Sequence, residues 1–259
     1  MINVGEHCME AATATLPARE RDEDIVKDVS IVIPAAGNGD RMGGAVHKPL
    51  LNLCGEPILF RTCRKLKSIP GVLEIIVAAH PDDVHHLQDE VFEQAQAAGI
   101  DLVVAGGKCR AQSVWNALEV VSAKAELVAV HDAVRPFIPV DIVKALFSTA
   151  RRRGAAVPVV PLSDTVKRID GDTIIETPRR AGLMRVQTPQ VFKSDLLIEA
   201  YEYRMQTGTL SEYITDDSQL VEALSHPVAS VLGHELNIKI TSPTDLTLAS
   251  TLLTAGLVE

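Results

Sequence analysis

No two of the four cysteines in this 259-residue chain stand at metal-ligand spacing: Cys8, Cys54, Cys63 and Cys109 are scattered. That excludes a zinc ribbon or a CxxC site and predicts free thiols in a reducing compartment. The chain also lacks any apolar run of about 20 residues, which a membrane-spanning helix would need. Its first 28 residues carry Glu6, Glu10, Glu20, Asp22, Glu23 and Asp24 and no apolar core of the kind a signal peptide requires. We therefore expect a cytoplasmic protein with a flexible extension over residues 1–28 and no membrane partner. A basic surplus is missing as well: Lys and Arg number 25 against 34 Asp and Glu, a formal net charge of -9. Such a balance excludes nucleic acid as the main partner, because phosphate-backbone binders present a net basic surface. The one dense basic run, Arg151-Arg152-Arg153, precedes Gly154 and suits the negative end of a helix. There are no internal repeats and no low-complexity segments.

What remains is the grammar of an α/β protein. VSIVIPAAG from Val29 is a β-branched run that ends in small residues, the pattern of a buried strand feeding a loop. LEIIVAA (73–79), DLVVAG (101–106), ELVAVHD (126–132) and AAVPVVP (155–161) have the same character. Helical patterns separate them at Pro57 to Lys67, Asp82 to Ala97, Ala111 to Ala123 and Pro139 to Arg152, long enough for parallel crossovers. This order predicts a doubly wound, mostly parallel sheet, formed by a single domain over residues 29–259, with ligands beyond the carboxyl ends of its strands. Residues 164–180 depart from the pattern. Two polar, β-prone stretches flank Asp170-Gly171, a hairpin turn signal, and predict a protruding arm that packs on something, such as a second subunit. Beyond it we expect a helix from Ser194 to Gln206, short strands near Val228 to Val231 and Asn237 to Ile240, and a last helix that Ser242 caps, with Pro243 in its first turn.

Three segments carry the chemistry. PAAGNGDRMGGAVHKPL (34–50) follows the first strand, yet it matches neither the P-loop, since no Gly-Lys-Ser/Thr follows, nor the dinucleotide fingerprint, since Met42 replaces its third glycine. It sets Arg41 and Lys48 in a loop of small residues, among them Ala35, Ala36, Gly37 and Gly39, whose amides can approach a nucleotide's phosphates. Transfer of a nucleotidyl group needs such cations in place before charge grows on the α-phosphate and the leaving pyrophosphate, with Mg2+ bridging the phosphate oxygens. VHDAVRP (130–136) places Asp132 at a strand's end, suited to a metal or a substrate hydroxyl, beside His131, which reads as structural, and Arg135, a partner for a nearby carboxylate. AGGKCRAQSV (105–114) allows close backbone approach to a base at Gly106 and Gly107, with Arg110 and Ser113 in reach of it; a tight turn and helix cap is the bland alternative.

Together PAAGxGxRM, the lysine seven residues after that arginine, GGxxRxxSV, VHDAxRP, DTVKR, RAGLxxxQTPQ, ITDD and NIKIT resemble the 2-C-methyl-D-erythritol 4-phosphate cytidylyltransferases of the non-mevalonate isoprenoid pathway, in order from Ser30 to Leu253. The resemblance implies a nucleotidyltransferase that joins CTP to a sugar-alcohol phosphate with Mg2+ as cofactor. By position it implies that Arg41 and Lys48 stabilise the transition state and that Gly107, Arg110 and Ser113 form part of the cytidine pocket. Asp132, Thr188, Thr215 and Lys239 correspond to the wall that receives the acceptor. Thr165 and Arg180 lie on the arm, which in this family contacts the neighbouring subunit's substrate, so a homodimer is implied. Ribitol-5-phosphate cytidylyltransferases share most of these segments and are the runner-up. Lys48-Pro49-Leu50 also occurs in other sugar nucleotidyltransferases, His47 replaces a usual proline, and Lys108 and Leu236 stand where acidic residues are frequent. The last two changes motivate a third reading, a degenerate nucleotide-binding protein.

Overall fold

Strand alternation and the placement of helices on both sides account for the architecture of the computed structural model, which describes residues 26–37, 47–210 and 213–258. The chain runs through β1 (Val29–Ala35), a 3-10 turn at Lys48–Leu50, the short pair β2 (Asn52–Leu53) and β3 (Glu56–Pro57), α1 (Ile58–Lys67) and β4 (Val72–Ala79). Next come α2 (Pro81–His85), a π turn (His86–Glu90), α3 (Phe92–Ala97), β5 (Leu102–Ala105), α4 (Arg110–Leu118), β6 (Leu127–Val130), α5 (Val140–Arg153) and β7 (Ala155–Pro161). The ribbon β8 (Arg168–Asp170) and β9 (Thr173–Glu176) precedes β10 (Met184–Val186), β11 (Gln190–Lys193), α6 (Ser194–Gln206), α7 (Ser218–Ala223), β12 (Ala229–Leu232) and α8 (Pro243–Thr254).

The main sheet has eight strands, in the order β10-β7-β11-β6-β1-β4-β5 with β12 also on β7. Neighbours β6, β1, β4 and β5 are parallel, whereas β11 runs against both β6 and β7. Ala156 pairs with both Val191 and Ala229, and Val159 with both Val186 and Leu232. A strand has two edges, so β12 holds one edge of β7 while β10 and β11 share the other, separated by Gln187, Thr188 and Pro189. Side chains of successive strand residues point to opposite faces. Thus Ile31 and Ile33 of β1 pack with α1 and α5 through Leu59, Cys63, Leu66, Leu146 and Phe147. Val32 joins the other face, with Val114 of α4, Tyr201 of α6 and Leu220 of α7. From β1 the chain winds outward to β4 and β5, then α4 carries it across the opposite face to β6 on the other side of β1. That reversal opens a crevice at the carboxyl ends of β1 and its neighbours.

Several expectations need correction. The extension reaches less far than residue 28: Asp28 is buried, donates its amide to the Gly71 carbonyl at 3.1 Å, and pairs with Arg151 at 2.5 Å. One arginine of the basic run is thereby used in a specific contact as well as at the helix end. The helix expected over 82–97 is broken by the π turn, where Val91 N–H reaches back to the His86 carbonyl at 3.0 Å; no proline or glycine marks the break. The helix expected to reach Ala123 ends at Leu118, because Glu74 on the sheet draws in the Ser122 amide at 2.8 Å. Residues 237–240 form no ladder. They bond across the fold instead, Ile240 N–H donating to the Val134 carbonyl at 3.0 Å and Asn237 Nδ2 to the Thr188 carbonyl at 3.0 Å.

The last helix follows its sequence signal: Ser242 and Asp245 form a reciprocal capping box with Pro243 in the first turn. The ribbon also appears where the turn signal put it, with Gly171 at φ 56 and no ladder to the main sheet. No helix among the described residues is long and apolar enough to cross a membrane.

Candidate active site

A cavity of about 960 Å³ occupies the crevice, and each neighbouring strand sends the segment after it into the wall. Ala35, Ala36 and Gly37 enter from β1, His80 from β4, Gly106 to Arg110 from β5, and Asp132 from β6; Lys48, Lys239 and Thr241 close the rest. Among the described lining residues Asp132 is the sole carboxylate, facing Lys48, Lys108, Arg110 and Lys239. An acidic chain has thus gathered an excess of positive charge in one place, as a polyanionic ligand requires.

Asp132 is 7% exposed, and its Oδ2 accepts from Arg135 Nε at 2.9 Å and lies 3.0 Å from Lys239 Nζ. Burial alone would raise its pKa, but Lys239, Arg135 and Arg110 together outweigh burial and hold the carboxyl well below the usual carboxylate range. The preceding His131 is fully buried, and burial pushes its pKa down to about 4, although its bond to the Arg135 carbonyl opposes the shift. A neutral ring fits its surroundings: with Nε2–H donating to the Arg135 carbonyl at 3.0 Å, Nδ1 accepts from the Thr188 hydroxyl at 3.1 Å. That hydroxyl in turn accepts the Asp132 amide at 3.0 Å. The tautomer is assigned from this network.

On the opposite wall Arg110 Nη2 donates to Asp217 Oδ2 at 2.6 Å, while the buried Tyr201 hydroxyl donates to Asp217 Oδ1 at 2.6 Å. Burial opposes the charged guanidinium, yet Asp217 more than compensates and raises the Arg110 pKa above its ordinary value. Asp217 is itself positioned by Gln190, whose Oε1 accepts the Asp217 and Ser218 amides at 2.9 and 3.0 Å. Nη1 of Arg110 is buried without a partner among the described residues. Nearby, a Cβ on Gly106 would stand 2.3 Å from the Ala36 Cβ, so only glycine lets the β1 and β5 loops meet. The Ser113 hydroxyl accepts the Gly107 amide at 3.1 Å and donates to the Cys109 carbonyl at 3.0 Å, which fixes the turn.

Residues 29–255 match the sequence model of 2-C-methyl-D-erythritol 4-phosphate cytidylyltransferase, IspD. The chain belongs to this cytidylyltransferase family. A relative from Solibacter usitatus is 44% identical over 85% of this chain and 93% of its own, and one from Symbiobacterium thermophilum is 42% identical over 87% and 92%. The crystal structure of the family's enzyme from Thermus thermophilus aligns with a TM-score of 0.73 at 36% identity, over 88% of this chain and 99% of that one.

The residues that the sequence and the family resemblance singled out do not all meet in the cavity. Ala35, Ala36, Gly37, Lys48, Gly107, Arg110, Ser113, Asp132 and Lys239 line the one cavity. Thr188 lies beneath it, buried against Asp132 and His131. Outside the lining, Thr165 and Arg180 are exposed at the foot of the ribbon, where Arg180 donates to the Ser163 carbonyl, and Thr215 is exposed beside Asp216. Gly39 and Arg41 lie outside the described residues. Sequence reasoning did not single out Asp217, Tyr201, Gln190 or His80. ITDD and QTPQ were visible as motifs, but which side chain they support is set by contacts 107 residues apart.

Two outcomes follow from these networks. Since His131 titrates near 4 when folded and near 6.5 when free, the unfolded chain takes up its proton first. Stability is complete above pH 6.5 and falls by roughly 3 kcal/mol as pH drops through 4. Urea unfolding between pH 7.5 and 4 will show this decline, and His131→Gln will flatten it while lowering stability at pH 7.5. Tyr201→Phe removes a donor from a buried carboxylate and will cost about 1–3 kcal/mol. With Arg110 less firmly held, the same variant will raise KM for the nucleotide more than it lowers kcat, as steady-state kinetics will report.

Proposed function

We propose that the chain transfers the cytidylyl group of CTP to 2-C-methyl-D-erythritol 4-phosphate and releases pyrophosphate, a step of non-mevalonate isoprenoid precursor synthesis. The observation that carries this reading is the single cavity in which Lys48, Arg110 and Lys239, drawn from three distant segments, surround one carboxylate. An oxygen of the acceptor's phosphate attacks the α-phosphorus of CTP. As that bond forms, the bond from the α-phosphorus to the bridging oxygen breaks, and its electron pair leaves on pyrophosphate. The second ionisation of a phosphate monoester lies near pH 6, so the nucleophile is already ionised at neutral pH and needs no strong base. His131 could not serve as one in any case, since both of its ring nitrogens are engaged.

Lys48, with Arg41 by family position, meets the charge that grows around the α-phosphate. Lys239 receives the acceptor's phosphate, and the pair it makes with Asp132 keeps its ammonium in place before the substrate arrives. The Gly106–Gly107 turn and Arg110 form the wall for the base. Mg2+ is the divalent cation that accompanies such a triphosphate. With one carboxylate in the lining and no cluster of three or more acidic, His or Cys ligands among the described residues, the site fits an ion that takes most of its ligands from phosphate and water, with Asp132 as the residue to hold it. When bound, the ion withdraws charge from the phosphate oxygens.

The working unit is a homodimer in the cytoplasm. Free thiols at Cys54, Cys63 and Cys109 agree with a reducing compartment. Ile169, Ile174 and Ile175 on the ribbon are 64%, 60% and 57% exposed, an apolar surface that a partner subunit would cover. Thr165 and Arg180 stand at the foot of this ribbon, and a reach across the dimer brings them to the partner's acceptor.

Pyrophosphate release measured for CTP and the other nucleoside triphosphates, with 2-C-methyl-D-erythritol 4-phosphate and ribitol 5-phosphate as acceptors, will be fastest for CTP with the methylerythritol phosphate. A preference for another pair would remove this reading. Lys48→Ala will cut that rate on the order of a hundredfold or more while leaving the circular dichroism spectrum unchanged. Arg180→Ala and Lys48→Ala subunits, each nearly inactive, will regain part of the activity when exchanged into mixed dimers. No recovery after verified exchange means that one chain builds each site.

A further inference from the structure

His80 stands directly after β4 and lines the same cavity as Lys48, yet neither the reaction nor the family resemblance gives it a part. Its Nδ1 accepts the Asp82 amide at 3.3 Å and so caps α2. A neutral imidazole that accepts at Nδ1 carries its proton on Nε2, and a protonated ring carries one there too, so Nε2 is a donor in both states. The ring is held in place. His47, the residue before Lys48, lies against it with ring centroids 4.1 Å apart and planes inclined at 34°. His47 is in turn fixed by its Nδ1, 2.7 Å from Asp83 Oδ2. The pair therefore ties the end of the phosphate segment to the start of α2, and sets a ring donor on the wall that also carries Lys48. Among the described residues the nearby carboxylates do not claim that donor: Asp83 pairs with His47, and Asp82 Oδ2 stands 3.5 Å from Nδ1, the other ring nitrogen.

We propose that His80 is a further ligand of the nucleotide, its Nε2–H donating to an oxygen of the triphosphate, with His47 and Asp83 as the residues that position it. This inference rests on the reading above that the cavity takes CTP. An N–H donor beside a lysine, in a lining whose one carboxylate among the described residues is Asp132, matches an anionic phosphate oxygen.

His80→Asn separates the two roles of the ring, because asparagine keeps an acceptor for the Asp82 amide but is too short to present the outer donor. Calorimetric titration with CTP and competition by cytidine, both in Mg2+ buffer, will show CTP bound about tenfold more weakly by this variant and cytidine bound as by the unmodified protein. His80→Gln, which restores a donor near the Nε2 position, will recover most of the loss. Unchanged CTP affinity in His80→Asn would leave the ring a helix cap only and overturn the proposal, as would equal weakening of CTP and cytidine. If the unmodified protein itself fails to bind CTP, the function proposed above falls and this inference falls with it; normal binding followed by an insensitive variant removes only the role of His80.

Discussion

Taking the Asp132 carboxylate out of water costs several kcal/mol unless cations accompany it, and here two do: Arg135 from the same turn and Lys239 from a loop near the end of the chain. The arrangement of the Lys239 end of the cavity follows from this requirement. Arg135 also donates from Nη1 to the Asn237 carbonyl at 2.8 Å, so the guanidinium that neutralises Asp132 anchors the loop that delivers Lys239. Beneath them His131 and Thr188 bind the backbone of the same turn, which leaves the carboxylate little freedom to follow its partners. A charge group so fixed is preorganised: the Lys239 ammonium is held at the cavity by Asp132.

The Arg110 wall repeats the arrangement with the signs exchanged. There the cation, Arg110, faces the cavity, and the buried anion, Asp217, holds it from behind with help from Tyr201 and Gln190. Both ends of the cavity thus set a cavity-facing cation against a buried carboxylate. This explains how a chain with formal net charge -9 can present a basic pocket. Most of the described acidic residues outside the cavity are exposed, where water screens them, while the cavity places its cations at short range in a region of lower dielectric.

Much of the fold could be read from local pattern. Four buried strands, a fifth (β5) that is half-exposed because it is the edge of the sheet, the helix Ser194–Gln206, the hairpin at Gly171 and the capped last helix all rest on periodicity or turn chemistry within a few residues. The misreadings arose where a distant group overrode the local signal. Glu74 ends α4 early, and the apolar run near Ile240 is drawn into cross-fold contacts in place of a ladder. β10 and β11 were hidden for a related reason: they are short, interrupted at Thr188-Pro189, and pair antiparallel within a sheet whose other strands announce themselves as parallel.

The sequence by itself determined the fold class, the crevice at the strand ends and the family, along with most of the side chains that line the cavity, because each of these depends on residue type and short-range spacing. Only the tertiary structure decided which groups act on one another: that Asp132 is shared by Arg135 and Lys239, that Asp217 and Tyr201 stand behind Arg110, that Thr188 is a buried support, and that His80 belongs to the same wall as Lys48. Electrostatic and hydrogen-bond energies depend on distances of a few ångströms and on exclusion of water. Neither quantity exists until segments far apart in the chain have been packed together.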